Sequence, residues 1–133
     1  MELKVTHKDL IDAALAEIET HSVEVALSLL EDKNTVFVDL RDPRELQREG
    51  KIPNAFHAPR GMLEFWVDPS SPYYKDVFGS GHHFVFYCQS GWRSALAAKA
   101  VQDMGLPDVA HIGDGYRGWK DSGAPTEEVT SKR

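Results

Sequence analysis

Cysteine is nearly absent from this sequence: Cys88 stands alone among 133 residues. One thiol cannot close an internal disulfide or build a multi-cysteine metal centre, so Cys88 is either an inert buried thiol or a reactive one. Long apolar runs are missing too. The longest covers five residues, Phe84 to Cys88, which excludes a spanning helix of about 20 apolar residues. The amino terminus, Met1-Glu2-Leu3-Lys4 followed by a polar amphipathic stretch, has neither the apolar centre nor the small-residue cleavage site of a secretory signal. The expected location is the cytoplasm. Basic residues are in the minority, 15 against 21 acidic ones, for a net charge of -6 and a pI near 5.4. That balance offers no broad attraction to phosphate backbones, so neither nucleic acid nor an anionic membrane is an expected partner. Repeats and low-complexity segments are also missing. What is present, 41% hydrophobic and 27% charged residues, is the composition of one globular domain with a single core.

Local patterns predict strands alternating with helices. Thr6-His7-Lys8-Asp9 has capping-box spacing, and Leu10, Ala13, Ala14 and Ile18 recur at helical intervals, predicting a first helix over 8–20. Ser22 caps a second, which should stop near Asp32. Thr35 to Leu40, β-branched and apolar on both faces, reads as a central strand of a parallel sheet. Asp42-Pro43-Arg44-Glu45 combines an N-cap, a proline at the first helical position and a carboxylate three residues on, opening a short helix that ends at Gly50. Ile52 to Pro59 suggests a turn and a short edge strand between prolines. The connection 60–83 is irregular and carries Phe65, Trp66, Tyr73, Tyr74 and Phe78, as either a lid over a pocket or a cap on the core. Phe84 to Tyr87 is a second buried strand, 94–104 an alanine-rich helix closed by Gly105, Val109 to Ile112 a third strand, and 116–120 a short helix. In such an α/β sheet, ligands bind beyond the carboxyl ends of the strands.

Cys88 stands at that position. It ends a strand, Ser94 opens a helix, and Gln89-Ser90-Gly91-Trp92-Arg93 form the turn between them. A thiol there faces the positive end of a helix, loop N–H groups and the Arg93 guanidinium, all of which favour thiolate. Such surroundings lower a cysteine pKa from about 8.5 to roughly 3.5–7.5, giving a nucleophile that needs no partner base. Gly91 supplies the backbone freedom of a tight cradle. The bland alternative is one more small residue in a core strand. The polar, basic text after Cys88 argues against it. A cysteine–histidine hydrolase has His57, His82, His83 and His111 to draw on, but no sequence feature pairs any of them with Cys88. His82-His83 reads as a solvated strand start, because no further metal ligand stands at a useful spacing.

Three motifs in order then carry a family resemblance. Val38-Asp39-Leu40-Arg41-Asp42-Pro43-Arg44-Glu45, continuing through Glu49-Gly50-Lys51-Ile52-Pro53-Asn54-Ala55, resembles the first signature of the rhodanese family of sulfurtransferases. Cys88-Gln89-Ser90-Gly91-Trp92-Arg93-Ser94 resembles its active-site loop, and Gly115 to Pro125 its closing motif. Three positions depart: Lys51 stands where the family usually has histidine, Asn54 where it usually has glycine, and Asp114 at the first of two usual glycines. The resemblance implies a three-layer α/β fold with a mostly parallel sheet of about five strands over 21–125. A helical extension (1–20) precedes it and a polar tail (126–133) follows. It implies that Cys88 accepts a sulfane sulfur from thiosulfate or a persulfide and passes it to cyanide, a thiol or a protein sulfur carrier. Gln89, Ser90, Gly91, Trp92, Arg93 and Ser94 would bind the substrate, without cofactor or metal. Asp39 and Arg41 resemble residues that brace the loops, with an ordinary surface ion pair as the alternative, and Arg60 is read as a third supporting residue.

Two other functions compete. Cysteine-dependent phosphatases also use a strand-to-helix loop ending in arginine, but with five intervening residues, whereas Cys88 and Arg93 enclose four. The missing residue removes up to ~3.5 Å of chain and one N–H donor. A non-catalytic redox-sensing or partner-binding module using Phe65 to Phe78 is the other.

Overall fold

The computed structural model describes residues 1–130. Its helices are α1 (His7–Glu17), α2 (Val23–Ser28), α3 (Pro43–Glu49), α4 (Leu63–Val67), α5 (Trp92–Met104) and α6 (Gly115–Asp121). Its strands are β1 (Glu19–His21), β2 (Thr35–Asp39), β3 (Phe56–His57), β4 (His83–Tyr87) and β5 (Val109–Ile112). All five strands are parallel, in the order β1-β5-β4-β2-β3.

Strand alternation divides the interior in two. Val38, Phe84, Phe86 and Val109 face one side and pack under α1, α4 and α5. Phe37, Val85, Tyr87 and Ile112 face the other, against Ala26 of α2 and Tyr116 and Trp119 of α6. A sheet covered on both faces is the three-layer α/β architecture expected from its apolar strands. Buried Ala95, Ala97 and Ala98 keep α5 close to the sheet. Both predicted capping boxes form, Thr6 with Asp9 and Asp42 with Glu45.

Four expectations change. The first helix stops at Glu17 rather than 20, because Ile18 turns extended and Glu19–His21 pair with β5 instead. The second stops at Ser28, short of Asp32. Within 60–83 the chain forms α4 between two 3-10 turns, Arg60–Met62 and Asp76–Gly79. Trp66 and Phe78 of this segment meet Phe56 edge-on and belong to the core layer, whereas Phe65 and Tyr73 are exposed. Val67, Tyr74 and Phe78 line a groove with Met104 to Pro107, at the carboxyl end of α5, away from the Cys88 end. The core-capping alternative therefore holds for Trp66 and Phe78. Finally, the expected tail, of which 131–133 lie outside the described residues, is paired at Glu127, whose N–H and C=O bond those of Lys51 and whose carboxylate accepts from the Asn54 N–H.

The tail contact also accounts for two of the family departures. Asn54 adopts a left-handed φ of 64°, which asparagine tolerates better than most residues, and Lys51 lies 3.6 Å from the Glu127 carboxylate. Asp114 has an ordinary φ of -86°, so no glycine is required there. No helix among the described residues is long and apolar enough to cross a membrane.

Candidate active site

The chain leaves β4 at Tyr87, and Cys88 is almost wholly buried where the strand ends. Its Sγ accepts from the Gly91 N–H at 3.2 Å and the Ser94 N–H at 3.4 Å. These donors exist because α5 starts here, at Trp92 rather than Ser94, with Gly91 as its N-cap at φ 98°. The first N–H groups of a helix have no carbonyl partners within it, so they are free to face the sulfur. The first turn of α6 holds the loop in shape. The Tyr116 and Arg117 N–H groups donate to the Cys88 and Gln89 carbonyls, at 2.8 and 3.1 Å. A Cβ on Gly115 would lie 2.5–2.8 Å from the Gln89 and Cys88 backbone, so only glycine lets α6 come this close.

Asp39 and Arg41 are fully buried, not a surface pair. The carboxylate accepts from Arg41 Nη2 at 2.7 Å and Nε at 3.0 Å. Nη2 also donates to the Gly50 carbonyl at 2.8 Å and Nη1 to Gln89 Oε1 at 3.3 Å, and Cζ lies 4.1 Å from the Tyr116 ring centre. Through Gln89 the pair joins the end of β2 to the Cys88 loop. Gln89 is tied again by Glu49, at 3.2 Å.

Arg93 has a partner besides the sulfur that the sequence did not indicate. Its guanidinium forms a two-pronged pair with Glu45 at 2.8 and 3.0 Å, which holds the Glu45 carboxyl below its ordinary range and raises Arg93, with Cys88 a lesser contributor. Sequence reasoning placed Glu45 only as a helix cap. Its second role lies across 48 residues and leaves no local signal. Ser90 and Trp92 are exposed at the rim, and the Trp92 ring lies 5.2 Å from that of His7 in α1. Arg60 departs from its expected place: its side chain pairs with Glu64 at 2.8 Å, and among the described residues it makes no hydrogen bond to the loop.

Behind the loop lies a residue with no assigned role in the sequence reading. His111, on β5, places Nδ1 2.9 Å from Ser94 Oγ and Nε2 3.0 Å from Thr20 Oγ1, while Ser94 Oγ donates to the Gly91 carbonyl at 3.2 Å. With the Ser94 proton on Gly91, His111 Nδ1 is the donor to Ser94, and in the neutral ring Nε2 then accepts from Thr20. Burial favours that neutral ring, lowering the His111 pKa to about 4. The unfolded chain, with an ordinary histidine near 6.5, takes up this proton first as pH falls. The stabilisation is therefore complete above pH ~6.5, declines on acidification and is gone below about 4, with a ceiling of roughly 3 kcal/mol. Urea unfolding at pH 7, 6, 5 and 4 should show this decline in the wild type and a shallower one in His111→Asn.

Among the described residues, the sulfur's hydrogen-bond partners are backbone N–H groups and no histidine is among them. The arrangement can hold negative charge on sulfur, but it is not that of a cysteine–histidine hydrolase.

The rhodanese-like domain profile matches residues 22–122. A solved Rhodopseudomonas palustris protein of unknown function, described as a possible tyrosine phosphatase, is 50% identical with a TM-score of 0.93, over 96% of this chain and 98% of that one. The polysulfide-sulfur transferase homodimer of Wolinella succinogenes is 29% identical with a TM-score of 0.69, over 92% and 87%. The human thiosulfate:glutathione sulfurtransferase is 26% identical over 111 residues, 79% of this chain and 96% of that protein. Three other curated relatives are longer, and the chain spans 46 to 66% of their length.

Proposed function

The chain belongs to the rhodanese-like domain family, and from that premise we propose that it is a sulfurtransferase in which Cys88 carries the sulfur. The observation that carries this reading is the buried Sγ with two backbone N–H groups directed at it. The Cys88 thiolate attacks the outer sulfur of thiosulfate, the S–S bond of thiosulfate breaks, and sulfite leaves with the electron pair. The product is a persulfide whose outer sulfur is negative, and loop donors already aimed at the site stabilise that charge without reorganising. Cyanide then attacks the outer sulfur, thiocyanate leaves and the thiolate returns. A persulfide donor and a thiol acceptor follow the same electron count. The cycle needs no outside oxidant or base. In this reading Gln89, Ser90, Trp92 and Arg93 of the same turn contact the substrate, while Gly91 and Ser94 supply the donors.

The phosphatase description of the Rhodopseudomonas protein makes phosphate transfer the reading to test against. Phosphatase chemistry wants an arginine free to clamp the phosphoryl oxygens, whereas Arg93 is already engaged by Glu45. Incubation with thiosulfate should raise the intact mass by about 32 Da, the one added sulfur of a persulfide, and cyanide should reverse the gain. Cys88→Ser should show no gain. Hydrolysis of p-nitrophenyl phosphate by a chain that neither thiosulfate nor a persulfide donor can load would replace this reading with the phosphatase one.

A further inference from the structure

We propose that Glu19, His21 and His83 form a site for one divalent transition-metal cation of the zinc type, separate from the Cys88 loop. Sequence spacing offered His83 no partner, since His21 lies 62 positions away. The sheet brings them together. Glu19 and His21 flank Thr20 on β1, so both point to the face opposite Thr20 and His111; His83 shares that face with Val85. Between the two strands runs β5, whose residue in register with both Glu19 and Val85 is Ala110. A methyl group there leaves room for two imidazoles to meet above the middle strand.

They meet nitrogen to nitrogen. His21 Nε2 and His83 Nε2 are 2.9 Å apart, the rings are inclined by 56°, and with a Glu19 carboxylate oxygen the three donor atoms lie within 4.8 Å of one another. The far side of His83 fixes its protonation. Nδ1 is 2.8 Å from Asp108 Oδ1 and 3.1 Å from the Asp108 carbonyl, both acceptors, so Nδ1 carries the proton and Nε2 presents a lone pair. A carboxylate holding the outer nitrogen of an imidazole is the support that metal-bound histidines have. Without the ion, His21 Nε2 then donates to His83 Nε2, so metal binding requires His21 to carry its ring proton on Nδ1 instead.

The distances suit the ion. With metal–nitrogen bonds of about 2.0–2.1 Å, tetrahedral ligands stand ~3.3 Å apart, so the rings need to separate by only a few tenths of an ångström. Glu19 and Asp108 supply two negative charges against the two positive ones. Two imidazoles and one carboxylate leave a fourth position for water. The occupied site would clip the edge strand β1 to β4 across β5, and His83 stands at the far end of β4 from Cys88, roughly 16 Å of strand away.

The test is zinc titration of the chelator-stripped full chain against a chromophoric chelator, in the wild type and in Cys88→Ser so that the thiolate cannot supply the signal. Expected is one equivalent bound in both proteins and a rise in melting temperature on addition of zinc. His21→Asn and His83→Asn should each weaken binding at least a hundredfold, and Asp108→Asn by ten- to a hundredfold. His82→Asn should leave binding unchanged. If a histidine variant does not fold, nitrogen-15 spectra of Cys88→Ser decide: zinc must move the Nε2 signals of His21 and His83. No zinc bound in Cys88→Ser, binding that survives both histidine substitutions, or ring signals that do not move would overturn the site and leave a plain histidine–histidine hydrogen bond.

Discussion

Asp39→Ala is expected to lose about 3–5 kcal/mol of stability, the cost of leaving one member of a buried ion pair alone. Arg41 has no exposed side-chain surface and sits over the Tyr116 ring, so a cation robbed of its carboxylate cannot turn out to water without opening the packing beneath α6. Against a usual total of about 5–15 kcal/mol that loss removes a large share, and the melting temperature should fall by roughly 10 to 20 °C. Urea unfolding measures it directly. The double variant Asp39→Leu with Arg41→Met should regain much of the stability, because apolar side chains of similar volume often replace a buried pair without penalty. It should not regain sulfur loading, since the links to Gln89 and Gly50 go with the guanidinium. A double variant as unstable as Asp39→Ala would mean that the pair's own geometry, not the unpaired charge, is what the fold depends on.

Gly91→Ala should have the largest effect on chemistry short of removing the thiol. At φ 98° an L-residue costs about 1–2 kcal/mol, and the added Cβ would collide with the Gly113 carbonyl oxygen. The Gly113 N–H is bound to the His21 carbonyl at 3.1 Å, which limits how far that residue can move as a whole. The peptide at 91 must therefore swing, and the N–H now 3.2 Å from Sγ swings with it. Loss of one aimed donor typically slows a reaction that builds negative charge by about a hundredfold or more. A quenched time course of the mass gain with thiosulfate is the readout. A loading rate equal to the wild type would show that the Gly91 N–H does not serve the sulfur.

The parts that were legible in the sequence are those whose stabilisation is local or apolar. Thr35 to Asp39 and Phe84 to Tyr87 declare themselves by β-branched and aromatic content, and the boxes at Thr6 and Asp42 by residues three apart. The position of Cys88, after a strand and before a helix, was legible for the same reason. Glu19-Thr20-His21 was not: three polar residues have no strand signature of their own and are held by β5 and by the Thr20–His111 hydrogen bond. The second partners of Glu45 and Ser94 were hidden likewise, because Arg93 and His111 arrive only with the folded sheet.

The strands at the two margins of the sheet are its shortest, three residues in β1 and two in β3. An open margin is a template on which another chain can add a strand, and its hazard grows with the length of unpaired backbone on offer. Here each margin offers scarcely one repeat, and Pro53 and Pro59, which lack an N–H, stand on either side of β3. Of the long apolar strands, whose sequences would otherwise favour stacking into aggregates, β4 is paired on both sides, and β2 is paired with β4 along its whole length and with β3 at Val38 and Asp39. Concentrated solutions of the folded chain should therefore resist strand-on-strand association, and aggregation should follow global unfolding rather than precede it.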